Sequence, residues 1–223
     1  CNPKDFEPLP DTLFLGDGDG TFRDGTTELG LRGDGKGLGV VMADVDLDGD
    51  VDVYVANDTT ANFLYRQESG GRWSEVGLIA GCGLDESGAP DGSMGTDIGD
   101  FDGDGWPDIW VVNFERESCA LYRNAGDGAF LHASQSAGIS AVAGIYVGWG
   151  TVFGDFDLDG DLDLFVSNGH PNQYPLSGAR RQRPLLLSQE NGRYREAAAH
   201  RGSYLNSAHN GRGAATGDFD NDG

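Results

Sequence analysis

An Asp-rich motif recurs along the chain at nearly regular intervals, and it constrains the fold more than any other feature. Complete copies begin at Asp44, Asp100 and Asp155, each five residues after a glycine, and a fourth copy begins at Asp218. The starts are separated by 56, 55 and 63 residues. Self-similarity with a period of this size is typical of an array of small structural units.

A second element lies between the Asp-rich copies. It consists of a short apolar run, a turn of Gly, Asp or Asn, and an aromatic residue that opens another run; it occurs at residues 13–22, 63–73, 121–130 and 185–194. This pattern is typical of a β-hairpin. Each period therefore holds four short strands, the first two joined by the Asp-rich loop and the last two by the hairpin turn. Repeated four-stranded antiparallel units predict an all-β fold, a β-propeller of four-stranded blades.

The repeat also predicts where the blades begin and end. We expect the second half of a blade at residues 1–36, complete blades at 37–92, 93–147 and 148–210, and the start of another at 211–223. No stretch of ten residues has helical periodicity, which agrees with an all-β fold. A single four-stranded sheet cannot bury both of its faces alone, so its apolar positions are expected to face neighbouring blades. The residues expected at these contacts are Val53, Val55, Ile109, Val111, Leu164 and Val166.

The charge of the chain argues against some partners and for a metal ion. The formal net charge is −22, from 37 acidic and 15 basic residues, so a phosphate backbone would be repelled and nucleic acid is not an expected partner. No apolar run reaches the length of about 18 residues that a membrane span needs. Seventeen of the acidic residues lie in the Asp-rich loops. Carboxylates at that density would repel one another strongly without a cation.

The spacing inside each loop indicates calcium. In Asp-x-Asp-x-Asp-Gly the carboxylates at positions 1, 3 and 5 converge, glycine at position 6 permits the sharp turn, and the carbonyl at position 7 adds an oxygen. A further Asp stands at position 9. The predicted ligands are Asp44, Asp46, Asp48, Asp50 and Asp52; Asp100, Asp102, Asp104, Trp106 and Asp108; Asp155, Asp157, Asp159, Asp161 and Asp163; and, in the fourth copy, Asp218, Asp220 and Asp222.

These loops differ from EF-hands, because position 12 is Val55, Val111 or Val166 where an EF-hand has glutamate, and because strands flank them. A multi-carboxylate cage with no soft ligand favours calcium over magnesium or zinc. The Asp residues of the hairpin elements are interpreted differently, as turn residues. They are Asp17, Asp19 and Asp127.

Three further segments carry a resemblance to a known family. The Asp loops resemble FG-GAP/VCBS repeats, and residues 121–130, 167–170 and 212–223 look more specifically like the cartilage acidic protein / ASPIC–UnbV family. The resemblance implies a calcium-loaded propeller of about seven blades, secreted or periplasmic, often followed by a C-terminal ASPIC/UnbV domain. The chain departs from that pattern because it has no such domain and its last loop stops before position 9. We therefore expect a fragment of a longer protein; a four-bladed ring closed by two half-blades is the alternative.

No residues in the sequence support catalysis. It has no GxSxG, no phosphate-binding loop that leads into a helix, and no HExxH among its four histidines. The favoured hypothesis is a non-catalytic extracellular or periplasmic module that binds a protein or glycan and uses calcium structurally. The alternatives are the propeller of a carbohydrate-active, polysaccharide lyase-like enzyme, or a lectin, and a subunit of a larger complex. A pocket with a Lys, Arg or Tyr base would favour the enzyme.

Two further features remain open at the level of sequence. Cys82 and Cys119 could form a disulfide in an oxidising compartment or remain free buried thiols. The longest departure from the repeat is an inserted loop at residues 169–184, which contains His170 and a basic cluster. This loop is either a surface insertion or a site for an acidic partner or for another part of the protein. Its arginines are Arg180, Arg181 and Arg183.

Overall fold

Short β-strands make up nearly all the regular structure in the residues that the computed structural model describes, which are 3–126, 128–141, 144–176, 178–197 and 202–219. The helical segments are two 3₁₀ turns, Pro3–Asp5 and Ile139–Ala141, and one turn of α-helix, α1 (Gly77–Ala80). In chain order the strands are β1 (Phe14–Gly16), β2 (Phe22–Asp24), β3 (Gly37–Ala43), β4 (Asp52–Asn57), β5 (Phe63–Glu68), β6 (Arg72–Glu75), β7 (Ser93–Gly99), β8 (Asp108–Asn113), β9 (Ala120–Asn124), β10 (Phe130–His132), β11 (Gly148–Gly154), β12 (Asp163–Asn168), β13 (Leu185–Glu190) and β14 (Arg193–Glu196).

The strands form three antiparallel sheets of four and one of two. The four-stranded sheets follow chain order, β3 to β6, β7 to β10 and β11 to β14, and β1 pairs with β2. Within the described ranges these sheets do not close into a barrel. The predicted all-β class and the four-stranded antiparallel unit are confirmed, and the arrangement is propeller-like.

Strand register places both repeated sequence elements where they were predicted. The Asp-rich loops connect the first and second strands of each sheet, with Ala43 paired to Asp52 at the base of the first loop and the equivalent pairs at the other two. The Gly-rich turns connect the third and fourth strands, as where Glu68 pairs with Arg72. The first element, residues 13–22, also folds as a hairpin, in which Gly16 pairs with Phe22.

Alternate residues of the second strands pack against different neighbouring sheets. In β8, Ile109 and Val111 lie in a core cluster shared with the preceding sheet, whereas Trp110 and Val112 lie in one shared with the following sheet. A strand that is buried on both faces requires this period of two. The predicted packing is confirmed for Ile109, Val111, Leu164 and Val166, and Val53 and Val55 pack with Leu31, Phe63, Tyr65 and Trp73.

The first strands of the three sheets lie beside one another, and glycine makes this approach possible. A Cβ atom on Gly39 would overlap the carbonyl oxygen of Met94, and one on Gly95 would overlap that of Trp149. Gly150 meets the backbone of residues 213 and 214 in the same way, so the start of the fourth repeat continues the series. The glycine five residues before each Asp loop therefore sets how closely successive sheets approach.

The burial of the two cysteines and of His170 bears on two points that the sequence left open. Cys82 and Cys119 are free thiols, each buried in a different core cluster, one on either side of the β7–β10 sheet, so the disulfide alternative is wrong. In the inserted loop, His170 is 1% exposed, whereas Tyr174 is 84% exposed, so the loop is buried at its start and superficial farther along. Arg183 forms an ion pair with Glu196 of the same chain at 2.9 Å, whereas Arg180 and Arg181 are exposed.

Among the described residues, none forms a helix with the length and hydropathy of a membrane span.

Candidate metal centres

Each Asp-rich loop turns sharply because two of its residues adopt a left-handed backbone. Glycine at position 6 has φ between 92° and 97° in all three loops, and nothing lies within 4 Å of the place a Cβ would occupy. Glycine is therefore required at position 6 by the left-handed backbone conformation, and not by a lack of space for a side chain. Position 4 is also left-handed although two loops have leucine there. The residues at positions 4 and 6 are Leu47 and Gly49, Gly103 and Gly105, and Leu158 and Gly160.

The carboxylate at position 1 organises the loop. In the first loop, Asp44 accepts hydrogen bonds from the backbone N–H groups of Asp48, at 3.1 Å, and Gly49, at 2.9 Å. Asp100 and Asp155 accept the same pair of bonds in their own loops. The residue at position 7 donates its N–H to the carboxylate at position 5. The donors are Asp50, Trp106 and Asp161.

Carboxylate oxygens converge in all three loops. In each, one oxygen from each of three carboxylates lies within 4.8 Å of the others, which is a spacing that one cation could bridge. Asp46 has a buried oxygen, Oδ1, without a hydrogen-bond partner, and a buried carboxylate oxygen of this kind calls for a proton or a cation. The all-oxygen donor set fits calcium. The converging groups are Asp44, Asp46 and Asp48; Asp100, Asp102 and Asp108; and Asp155, Asp157 and Asp159.

The carboxylate at position 9 holds the sheet together. Asp52 is buried, and its two oxygens accept N–H groups from Val45 in the loop, at 3.0 Å, and from Gln67 in β5, at 2.9 Å. The equivalent pairs are Phe101 and Asn124 for Asp108, and Phe156 and Gln189 for Asp163. Burial raises the pKa of Asp52 to about 6 and that of Asp108 to about 7. Only Asp108 belongs to a converging group of three among the described clusters.

A residue on the third strand contacts the position-3 carboxylate, and the sequence reading missed it. Arg66 Nε lies 3.2 Å from Asp46, and Arg123 Nη1 lies 3.7 Å from Asp102 and 3.4 Å from Asp104. In the third loop the equivalent residue is neutral: Ser188 Oγ donates to Asp157 at 3.2 Å. The signal was the alignment of residues 63–66 with residues 120–123, where an arginine recurs at the last position. Among the described contacts, the third-strand residue therefore places a positive charge beside two of the loops and a hydroxyl group beside the third.

Side-chain amides connect the first and second loops to the sheet that follows each of them. Asn124 Nδ2 donates to the carbonyl of Val45 in the first loop at 2.7 Å, and Gln189 Nε2 donates to that of Phe101 in the second at 2.9 Å. Both acceptors stand at position 2 of their loops. Each of these two loops is thus held by its own sheet and by the next one.

The structure describes only some of the other predicted residues, which are those of the fourth Asp loop and of the hairpin turns. Asp218 is exposed, and Asp220 and Asp222 lie outside the described residues, so a fourth site stays a prediction. Asp19 accepts the N–H of Thr21 at 2.9 Å, and Asp17 accepts its hydroxyl, which is the turn role expected of them. Asp127 and Cys1 also lie outside the described residues.

Comparison with known proteins gives one matching family and two curated relatives. The family model described as FG-GAP-like repeat matches residues 8–55, 44–111 and 100–166. Cartilage acidic protein 1 of Homo sapiens is 31% identical over 186 residues, which cover 78% of this chain and 26% of that protein. The Mus musculus protein of the same name is 29% identical over 181 residues, 78% of this chain and 27% of the relative. The chain spans about a quarter of the length of these relatives.

Proposed function

The chain belongs to the family of FG-GAP-like repeat proteins, and from this premise we propose that it is a calcium-binding, non-catalytic module that presents a rigid surface to a partner. The observation that carries the proposal is the convergence of three carboxylates at the Asp loop of each of three successive sheets. Chance clustering of acidic residues would not repeat the same hydrogen bonds to the position-1 carboxylate three times.

Calcium has a structural role in this proposal. Each ion would be held by the carboxylates at positions 1, 3 and 5, with the carbonyl at position 7 and the Asp at position 9 completing the oxygen cage. A bound ion neutralises carboxylates that otherwise repel one another, and it fixes the loop between the first two strands. The twelve carboxylates assigned to these roles are Asp44, Asp46, Asp48, Asp52, Asp100, Asp102, Asp104, Asp108, Asp155, Asp157, Asp159 and Asp163, with carbonyls from Asp50, Trp106 and Asp161.

The sheets are proposed to be blades of a larger propeller, of about seven blades. The divisions at residues 37, 93, 148 and 211 stay predictions, as does the reading of residues 1–36 as half a blade. Support comes from the first strands, which lie beside one another, and from glycines that let neighbouring sheets approach closely. A fourth calcium loop at Asp218, Asp220 and Asp222 belongs to the same prediction.

The expected calcium affinity of the loops bears on where the protein is located and on what kind of partner it meets. Extracellular calcium modules bind with dissociation constants of about 10⁻⁴–10⁻³ M, which suits loops whose carboxylates are partly exposed. We therefore place the protein outside the cytoplasm, extracellular or periplasmic, with a protein or glycan as partner. The two curated relatives bear the name of cartilage, an extracellular tissue. A carbohydrate-active enzyme or a lectin is the alternative, and it would require a defined sugar site.

Calcium titration tests the proposal. Protein stripped with EGTA should bind calcium in isothermal titration calorimetry, and its melting temperature should rise with calcium concentration because the ion binds only the folded state. At a calcium concentration 100 times the dissociation constant, one site contributes about 2.7 kcal/mol. An unchanged melting curve between excess EGTA and millimolar calcium would refute the proposal.

Matched variants separate the loops from other acidic turns. Asp46→Asn removes a predicted ligand, so it should abolish one binding event, whereas Asp19→Asn removes an equal charge from the β1–β2 hairpin and should leave the titration unchanged. Equal losses in both variants would mean that calcium is attracted by the overall negative charge rather than bound by the loops.

A further inference from the structure

The ends of the sheets that lie opposite the Asp loops form a second candidate site. Each Asp loop joins one end of the first two strands of its sheet. The other end is marked by pairs such as Gly37 with Asn57 and Ser93 with Asn113. The connections that leave this end, residues 58–62, 114–119 and 169–184, differ in length and composition, unlike the Asp loops. Variable loops held by a regular scaffold are where proteins usually place binding residues.

A cavity of about 630 Å³ lies among these connections. Its volume falls inside the range of about 300–1,000 Å³ that small-molecule and side-chain sites occupy. The apolar part of the wall is Phe6, Leu38, Met94, Phe114 and Trp149, and the ionisable groups on the wall are Lys4, Asp58 and Glu117. Aromatic rings next to carboxylates suit an amphipathic cation, because the ring faces and the carboxylates both attract positive charge.

The two carboxylates are partly withdrawn from water. Glu117 accepts the N–H of Gly92 at 2.7 Å, which fixes its direction, and Asp58 bridges to the same residue through the backbone. Burial raises the pKa of each carboxyl group. Lys4 partly offsets this shift for Glu117, and Lys36 does so for Asp58.

The chain itself already places a cation on the ring of Trp149. The guanidinium of Arg212 lies 4.4 Å from the ring centroid of Trp149, and it also donates to the carbonyl of Gly169 at 3.1 Å. The indole N–H of Trp149 donates to that same carbonyl at 2.7 Å, so the ring orientation is fixed. Trp149 lines both the large cavity and a smaller one of about 250 Å³ that Arg212 lines. An aromatic platform in a fixed orientation that accepts one guanidinium can accept another on free ring surface.

We propose that this cavity binds a basic side chain, an arginine or lysine, from a protein partner. The cation would lie against Trp149 and Phe114 with Asp58 and Glu117 as counter-charges, and its methylene stem would cover Leu38 and Met94. The inference rests on the proposed function, because it names the chemistry of the partner that such a binding module would take.

The charge of the protein supports this choice of partner. A net charge of −22 attracts basic segments from solution and repels phosphorylated or sulfated ones. A neutral sugar could stack on Trp149, but it would not compensate the two carboxylates. A basic side chain satisfies both the aromatic and the acidic parts of the wall.

The test uses the calcium-loaded protein and the probe N-acetyl-arginine methylamide, followed by NMR of the Trp149 indole N–H. The expected result is a saturable shift with a dissociation constant of about 1 mM, near −4 kcal/mol. The citrulline analogue, which has the same shape without the charge, should bind at least about tenfold more weakly. Glu117→Gln, which can still accept from Gly92, and Asp58→Asn should each weaken the arginine probe by about three- to tenfold.

Glu190→Gln is the control, since it removes one exposed carboxylate from β13, far along the chain from the cavity wall. It should leave binding within about twofold. Equal binding of the two analogues would overturn the proposal, as would equal loss in Glu190→Gln and Glu117→Gln. Tighter binding of N-acetylglucosamine than of the arginine probe would assign the cavity to a glycan. If calcium still stabilises the protein while the arginine probe fails to bind, the proposed function stands and this inference fails.

Discussion

The carboxylate of Asp108 accepts a hydrogen bond of 2.7 Å from the backbone N–H of Asn124 in the neighbouring strand. Its other oxygen accepts the N–H of Phe101 inside the Asp loop at 2.9 Å. One side chain therefore connects the loop, the second strand and the third strand of its sheet. This gives position 9 a role in the fold that does not depend on metal.

Removing Asp108 should therefore destabilise the protein even without calcium. We expect Asp108→Ala to lower the free energy of unfolding in excess EGTA by about 2–4 kcal/mol, because two buried N–H groups lose their acceptor. Asp104→Ala is the control, since Asp104 is exposed, and it should stay within about 0.5 kcal/mol in EGTA. Urea unfolding followed by circular dichroism measures both. Equal losses would contradict the structural role of position 9.

The arginine beside the second loop should weaken its affinity for calcium. Arg123→Gln removes a positive charge 3.4 Å from Asp104, so calcium affinity should rise by about three- to tenfold, while stability in EGTA falls slightly. The measurement is calorimetry in a background of Asp46→Asn and Asp157→Asn, which leaves the second loop intact. Ser188→Ala, at the equivalent position of the third sheet and uncharged, should change affinity less than twofold in a background that leaves the third loop intact. An unchanged affinity in Arg123→Gln would contradict the prediction.

Replacing one of the repeated glycines tests the approach of the sheets. Gly95→Ala places a Cβ against the carbonyl oxygen of Trp149, so we expect a melting temperature lower by ten degrees or more, or no soluble protein. Gly213→Ala changes the equivalent glycine of the fourth repeat, where nothing lies within 4 Å. It should leave the melting temperature within about two degrees. Similar melting temperatures for the two variants would refute the close packing of β7 on β11.

A half-buried carboxylate outside the loops should make stability depend on pH. Burial, with help from Glu117 and Asp85, raises the pKa of Asp91 to about 7. Because the folded-state pKa lies above the unfolded one, the folded protein is favoured at low pH and loses that stability as pH rises from about 4 to 7.

Asp91→Asn should therefore melt a few degrees higher than wild type at pH 8 and almost level with it at pH 4. The Asn113 side chain, which donates to Asp91 at 2.8 Å, can keep its bond to the amide oxygen. Differential scanning calorimetry at the two pH values measures the effect in EGTA. Glu7→Gln, the loss of an exposed carboxylate, should show no such difference between them. A gain that is equal at both pH values would contradict the assignment to Asp91.

The sequence predicted local geometry well because the repeat is local. Spacing within ten residues was enough for the Asp loops and hairpins, and the period of two at Ile109 and Val111 was enough for the packing between sheets. Contacts between distant segments were not predictable in this way. Nothing near Asp58 in the sequence indicates that it shares a cavity with Glu117, since their meeting depends on how two sheets lie side by side. The burial of His170 beside Phe114 has the same origin, because it depends on where a long loop folds back.

Contacts between the metal loops and the third strands were also not predictable from the sequence. The spacing of the carboxylates was readable, but the second bond of each position-9 Asp goes to a strand that begins 11, 12 or 22 residues later. The arginines at 66 and 123 stand in hairpin elements that showed no connection with the loops. Alternation along β5 and β9 could have placed them on the loop side if the register had been known.

The amides of Asn124 and Gln189 have a consequence for how such proteins can be recombined. Each donates to the Asp loop of the repeat before its own, so a loop's surroundings are encoded partly by its successor. A repeat that is moved as one contiguous cassette leaves behind the amide that braced its loop and brings an amide matched to a different neighbour. Shuffling between relatives should therefore succeed more often with pairs of adjacent repeats than with single ones, and the natural unit of exchange is offset from the unit of structure.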